Sequence, residues 1–232
     1  MTAINTLIAA QMPANAAESL ARGISAEDLE AREAKREAVS RELLRASRRE
    51  DGLRRWETFF PPALRASDWS HPGLAPCAQQ IAAVLAYQVG AKGILATGPS
   101  GRGKTRSMAA LMRRLGPEEG NDVRYWSAAG WFSTLQSFLE YGNDHAKKWV
   151  DTVASRHVVF FDDYGQEAMQ VSRREWAQAW FFHFLDQRVA LGLPLFLTTN
   201  LSAREMMSHA GHARGDPLVR RLLDVADPIS FR

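Results

Sequence analysis

One stretch, Gly98-Pro-Ser-Gly-Arg-Gly-Lys-Thr105, constrains the fold of this chain more than anything else in it. It follows a short apolar run, Gly93-Ile-Leu-Ala-Thr97, and precedes a segment of helical character from Arg106 to Leu115. It fits the pattern G-x-x-x-x-G-K-[ST] of a phosphate-binding P-loop, and a strand before with a helix after is the context that pattern requires. The residue types follow from the chemistry. Gly98, Gly101 and Gly103 let the backbone turn its N–H groups inward onto phosphate oxygens. The helix that follows offers its positive end to the same anion. Lys104 can reach the β- and γ-phosphates of a nucleotide, and the Thr105 hydroxyl can ligate Mg²⁺. Pro99, Ser100, Arg102 and Arg106 complete the nucleotide-contacting stretch.

A P-loop needs a sheet around it, and the rest of the chain supplies one. Val123-Arg-Tyr-Trp-Ser127 alternates like a strand, and His157-Val-Val-Phe-Phe161 and Leu193-Pro-Leu-Phe-Leu-Thr-Thr199 read as buried parallel strands. Ile229-Ser-Phe231 is a last short strand with Pro228 at its beginning. Helical segments lie between them: Pro76 to Val89, with Ile81, Val84, Leu85 and Val89 on one face; two around Trp131–Tyr141 and His145–Ala154; one from the capping box Ser172-Arg-Arg-Glu175 to about Leu191. A second box, Ser202-Ala-Arg-Glu205, and a helix with Pro217 in its first turn precede the last strand. Gly116-Pro117 and Gly120-Asn121 mark a loop. The alternation specifies an α/β domain with a mostly parallel sheet.

Two carboxylates close the third strand. Asp162 stands at its C-terminal end, where it would hold Mg²⁺ opposite Thr105. Asp163 follows on the side where a general base for water would stand. Asn200, at the tip of the next strand, has the short amide needed to orient an attacking water, and it equally suits a strand-to-helix turn.

The N-terminal quarter is different in kind. Residues 1–24 are Ala-rich, with Leu7 and Ile8 able to dock and Gly23 able to end a short helix. Ser25-Ala-Glu-Asp28 opens a capped helix, and from Leu29 to Arg55 Arg and Glu of both signs dominate. Leu29, Val39, Leu43, Leu44, Leu53 and Trp56 make too thin a stripe for a core helix, so a long, solvated helix laced by i,i+4 pairs is expected. It is a partner-docking or nucleic-acid-binding arm, or an exposed helix without a specific role. Phe59-Phe-Pro-Pro62 breaks it. Residues 1–58 are therefore set apart from a main domain at 59–232. Trp69, His71 and Leu74 are candidates to lie near an adenine ring.

Bulk properties narrow the rest. With 232 residues the chain holds one full α/β domain and a smaller appendage. No apolar run spans a bilayer and no signal peptide opens the chain, which suits the cytoplasm. The lone Cys77 excludes an internal disulfide or a cysteine-cluster zinc site and reads as a small buried apolar residue. A net charge of +3 permits nucleic-acid contact without arguing for it.

Taken in order, Gly98–Thr105, Val158–Gly165, Asp186-Gln-Arg188, Leu197–Ser202 and Val219-Arg-Arg-Leu222 resemble the AAA+ ATPases of the DnaC/DnaI helicase-loader group and their relative IstB, the transposition helper ATPase. The resemblance covers roughly residues 70–232. It implies Walker A at Lys104 and Thr105, Walker B at Asp162 and Asp163, sensor 1 at Asn200, and an arginine finger at Arg221, with Arg220 the close rival. A finger acts on a neighbour's nucleotide, so self-association is implied. Many AAA+ proteins carry Asp-Glu where this chain has Asp162-Asp163, and a shorter base implies slow hydrolysis. The chain stops soon after Phe231, leaving no room for the usual C-terminal helical lid. The resemblance further implies a phage-type or bacterial helicase loader, with the N-terminal arm gripping a hexameric replicative helicase and the AAA+ part binding ATP and single-stranded DNA. The alternatives are a transposition helper on duplex DNA and a nucleotide-switched interaction protein with little hydrolysis. Trp126, Trp131, Phe132, Lys147, Lys148 and Trp149 lie where the family's DNA-contacting helices sit; Lys147 and Lys148 are the expected contacts, the aromatics being suited to core packing.

Overall fold

Each central strand is apolar on both of its faces, so the sheet must be covered by helices on both sides. The structure, a computed structural model, describes residues 26–66, 72–165, 171–209 and 215–232. Expectations on Leu7, Ile8, Gly23, Ser25, Trp69 and His71 fall outside the described residues. The chain divides into two compact units, Met1–Ser47 and Arg48–Arg232.

Within the first unit, residues 26–47 are helical, the opening part of α1 (Ala26–Phe59). Residues 31–47 are exposed throughout, Val39, Leu43 and Leu44 included. Arg41 pairs with Glu37 at 2.7 Å, one of the expected i,i+4 contacts.

The second unit begins with the last turns of α1. Trp56 and, just beyond the helix, Phe60 are buried. Phe59 ends α1 where the two prolines begin, and α2 (Pro62–Arg65) follows. A 3-10 turn at Pro72–Cys77 leads into α3 (Ala78–Leu85). Then come β1 (Gly93–Thr97), α4 (Lys104–Arg113), β2 (Val123–Ser127), α5 (Ala128–Glu140), α6 (Asn143–Ala154) and β3 (Val158–Tyr164). The chain closes with α7 (Val171–Leu191), β4 (Leu195–Thr199), α8 (Ala203–His209), α9 (Gly215–Val225) and β5 (Ala226–Ser230). Five parallel strands stand in the order β2-β3-β4-β1-β5.

Strand alternation divides the core. Ile94, Ala96, Val158, Phe160 and Phe196 face α3, α4 and the Trp56–Phe60 turn. Leu95, Val159, Phe161, Leu195 and Leu197 face α5, α6, α7 and α9, where Trp131, Phe132, Phe181, Phe184 and Leu222 pack. Cys77 is buried as a free thiol.

Four boundaries differ from the sequence reading. The helix expected over Pro76–Val89 is α3 alone, with Pro76 in the 3-10 turn and Val89 exposed. The chain turns away at Ala86, where Tyr87 N–H bonds Val84 O and the Tyr87 hydroxyl bonds Lys92 O at 2.8 Å. Gly116-Pro117 lies in a wide π turn, Arg114–Glu118, that continues α4, and Asn121 caps Leu115 O at 2.8 Å. β5 starts at Ala226, so Pro228 sits mid-strand, which the sheet tolerates because β5 pairs on one side only. β3 runs on through both acids to Tyr164, because Phe161 stands opposite Leu197 and Tyr164 opposite Thr199. The extra residue is a β-bulge.

Gly93 opens β1 against β4 so closely that a Cβ there would lie 2.1 Å from Leu195 O. Gly93→Ala is expected to lower stability to urea by at least about 2 kcal/mol. Gly90→Ala is the control, since its added carbon meets nothing nearer than Gln88 O at 3.9 Å; it should shift stability by less than about 0.5 kcal/mol.

Candidate functional site

The strand order fixes where a ligand can sit. The chain leaves β1 and passes over β4 and β3 to reach β2, yet leaves β4 and passes over β1 in the opposite direction to reach β5. The connections diverge beyond the C-terminal ends of β1 and β4, which is the crevice where open α/β sheets bind ligands. The Gly98–Thr105 loop leaves β1 there, and Asn200 leaves β4 beside it.

The loop's shape is held from the edge strand. Phe231 N–H donates to Thr97 O at 2.8 Å, and Gly98 has a φ of +131° with its α-carbon pressed on the same residue: a Cβ would stand 2.0 Å from Phe231 O. Only glycine fits. Gly103, with φ of 86°, turns the chain into α4. Lys104 then opens the helix and its side chain folds back under the loop. Its ammonium donates to Gly98 O at 2.6 Å, Pro99 O at 2.8 Å and Asn200 Oδ1 at 2.7 Å. An ammonium has three protons to give, so the group is satisfied although only 5 % of the residue is exposed. Burial pushes its pKa down, and Asp163 and Asp162 oppose that. Arg106 points the other way, to Ala63 O at 2.8 Å.

Asp162 gathers hydroxyls from three elements. Its Oδ1 accepts from Thr105 of α4 at 2.8 Å and from Thr198 of β4 at 2.5 Å, and its Oδ2 from Tyr125 of β2 at 3.2 Å. The residue is 4 % exposed. Burial raises its pKa; the Thr198 bond lowers it, the Asp163 charge raises it, and the Thr105 and Tyr125 bonds lower it. Burial also raises the Tyr125 phenol, so it stays a donor. One buried carboxylate with hydroxyls grouped around it is an oxygen-only donor set of the kind a hard cation takes, so Mg²⁺ fits Asp162 and Thr105. Among the described residues no group of three or more His, Cys, Asp or Glu forms a metal cage, as is usual where phosphate supplies the other ligands.

The bulge separates the two acids. Asp163 has a φ of 57°, the only positive φ among the described non-glycine residues, and its N–H donates to Thr198 Oγ1 at 3.0 Å. Thr198 is thereby fixed as donor to one acid and acceptor from the next. Asp162 stays on the α4 side of the sheet while the Asp163 carboxylate is exposed. Backbone strain of this sort clusters at functional sites. Tyr125 and Thr198 escaped the sequence reading as site residues. The β2–β3 register that sets Tyr125 beside Phe160, two positions before Asp162, carries no local sequence signal.

The other candidates lie apart from this cluster. Arg221 pairs with Asp186 of α7 at 2.7 Å and with Asp224 at 3.4 Å, while Arg220 pairs with Asp216 at 2.8 Å on the exposed face of α9. Arg188 is fully buried and donates to the carbonyls of Ala154, Arg156, His157 and Pro194, tying α7 to the starts of β3 and β4. Lys147 is paired with Asp151 at 2.6 Å, and Asp151 also meets His183 at 2.8 Å. Lys148 is exposed. Trp131 and Phe132 are core residues; Trp126 and Trp149 meet edge to face at 5.4 Å and are partly buried.

Comparison with known proteins agrees with this fold. The family model of the IstB-like ATP binding proteins matches residues 6–229. No curated protein matches the sequence significantly. The crystal structure of DnaI is similar over 75% of this chain and 96% of its own, at 22% identity and a TM-score of 0.52. The DnaC helicase loader is similar over 77% of this chain and 99% of its own, at 18% identity and 0.52. Domain III of the Thermotoga maritima replication initiation protein DnaA is similar over 75% and 68%, at 15% identity and 0.52. Identities this low speak to the fold, which is an α/β P-loop NTPase core.

The buried acid has a stability consequence. Its folded pKa is raised above the unfolded value, so ionisation costs stability as pH rises through that window and the cost is absent below the unfolded pKa. Asp162→Asn is therefore expected to raise the melting temperature of the nucleotide-free protein at pH 7.5. Thermal melts repeated at falling pH should show that gain shrink and vanish on the acid side of the ordinary carboxylate range.

Proposed function

Because the chain belongs to the IstB-like ATP-binding proteins, we propose that it is an ATP-dependent helicase loader, which binds ATP and Mg²⁺, associates with copies of itself and delivers a hexameric replicative helicase to single-stranded DNA. The observation that carries the nucleotide part is the convergence of Lys104, Thr105, Asp162 and Asn200 at the point where the connections diverge.

In this reading the loop N–H groups from Gly98 to Arg106 cradle the phosphates. Lys104 exchanges its loop carbonyls and Asn200 for phosphate oxygens, so no proton of the ammonium goes unpaired in either state. Thr105 and Asp162 would hold Mg²⁺, which would supply charge neutralisation to the phosphates. Asp163, exposed at the bulge, serves as the general base for water. Asn200, freed from Lys104, turns its amide to that water. Arg221, or its rival Arg220, crosses to a neighbouring copy. Arg221 must first leave Asp186, whereas Arg220 leaves only a pair in which its side chain is 76% exposed. Lys148 and, once parted from Asp151, Lys147 contact DNA backbone. Residues 1–58 form the helicase-gripping arm, its last turns from Arg48 onward belonging to the compact unit of the ATPase domain, and 59–232 form that domain. Hydrolysis is slow and resets the complex. The site of action is the cytoplasm.

The likeness to IstB supports a second reading, a transposition helper ATPase on duplex DNA. Native mass spectrometry with a replicative helicase separates the two, since only a loader forms that complex. A preference for duplex over single-stranded DNA supports the helper. Tight ATP binding without turnover, with or without DNA, supports a nucleotide-switched interaction protein instead. In every case Lys104→Ala should weaken binding of a fluorescent ATP analogue by roughly tenfold to a hundredfold. Unchanged affinity would remove the site assignment.

A further inference from the structure

A metal carboxylate is useful only if its plane is held. Asp162 Oδ1 has two hydroxyl donors, Thr105 and Thr198, and Oδ2 has Tyr125. Once Thr105 turns to the cation, the carboxylate keeps Thr198 on one oxygen and Tyr125 on the other. Tyr125 is then what stops rotation about the bond to the carboxyl group.

The Tyr125 ring is itself braced. It meets Phe160 edge-on at 5.5 Å on one side and Phe60 at 5.2 Å on the other. Phe60 stacks on Trp56 with ring centroids 3.9 Å apart. Both are buried. They belong to the close of α1 and the turn after it, so a run of aromatic rings connects that helix end to the acid. A second contact runs parallel: Ala63 O, three residues past Phe60, accepts from Arg106, the neighbour of Thr105.

We propose that Tyr125 is a positioning residue for Asp162, braced by Phe60 and Trp56, so that the close of α1 forms part of the support of the metal site. The proposal rests on the reading that Asp162 helps hold Mg²⁺. Outer-shell partners of metal ligands typically carry about tenfold to a hundredfold in metal affinity. Tyr125→Phe removes the hydroxyl and keeps the ring, so packing against Phe60 and Phe160 survives.

The test titrates Mg²⁺ into the full chain with a fluorescent ATP analogue and reads binding, not turnover. Tyr125→Phe should raise the half-saturating Mg²⁺ concentration about tenfold and leave metal-free affinity for the analogue unchanged. Phe60→Leu should shift the half-saturation in the same direction, and add nothing in the Tyr125→Phe background. Circular dichroism melts confirm that each variant is folded. If Asp162→Asn shifts the Mg²⁺ dependence and Tyr125→Phe does not, the metal reading stands and the positioning role is overturned. If Asp162→Asn shifts nothing, the metal reading fails and the proposal falls with it. Equal effects of Phe60→Leu in both backgrounds would overturn the brace.

Discussion

A single buried carboxylate ties together the C-terminal end of the sheet. Asp162 binds a hydroxyl from β2, one from β4 and one from the helix that follows the P-loop. Without it, Tyr125, Thr198 and Thr105 would turn three hydroxyls toward one another in a place water barely reaches, and buried donors left unpaired are expensive. With it, the donors are satisfied, but a charge is held away from solvent. That tension is what makes the spot useful: a group costly to keep ionised alone gains most from an arriving cation.

Lys104 is arranged on the same principle with the opposite sign. Its ammonium is buried and rests on two carbonyls of its own loop and the amide oxygen of Asn200. The loop thus keeps its shape around an internal cation. In the proposed reading phosphate oxygens would take the place of those partners, so ligand entry would be an exchange of hydrogen bonds more than a creation of new ones. Asn200 stands at the start of the β4–α8 connection, whose capping box closes between Ser202 and Glu205 at 2.7 and 3.3 Å.

Much of this was legible before the structure, for reasons that differ by residue. Lys104 and Thr105 announce themselves because a phosphate cradle needs fixed residue types at fixed local spacing. The central strands β3 and β4 announce themselves as apolar runs because both faces are covered. What stayed hidden depends on pairing between strands. The bulge at Asp162-Asp163 exists only relative to Leu197 and Thr199, so no window on β3 alone reveals it. Tyr125 looked like one more alternating strand residue until register brought its hydroxyl to Asp162. The boundaries of α3 and of the π turn after α4 were misread where proline stood at the edge of a helix. Pro76 fell in a 3-10 turn and Pro117 in a widened one, both conformations that local propensity does not separate from helix or loop.

The contact between Gly98 and Phe231 has a temporal side. β5 comes after every other described element in the chain, yet it is the strand that flanks β1 and seats the loop's first glycine. On the ribosome, β1 emerges with its outer edge bare and stays so while well over a hundred further residues are made, at a pace of about 5–20 per second. The pocket lacks this wall alone only after β4 ends at Thr199 and until β5 (Ala226–Ser230) is made, about two to six seconds at that pace. An open edge in that interval is a template for pairing with another chain, until β5 covers it.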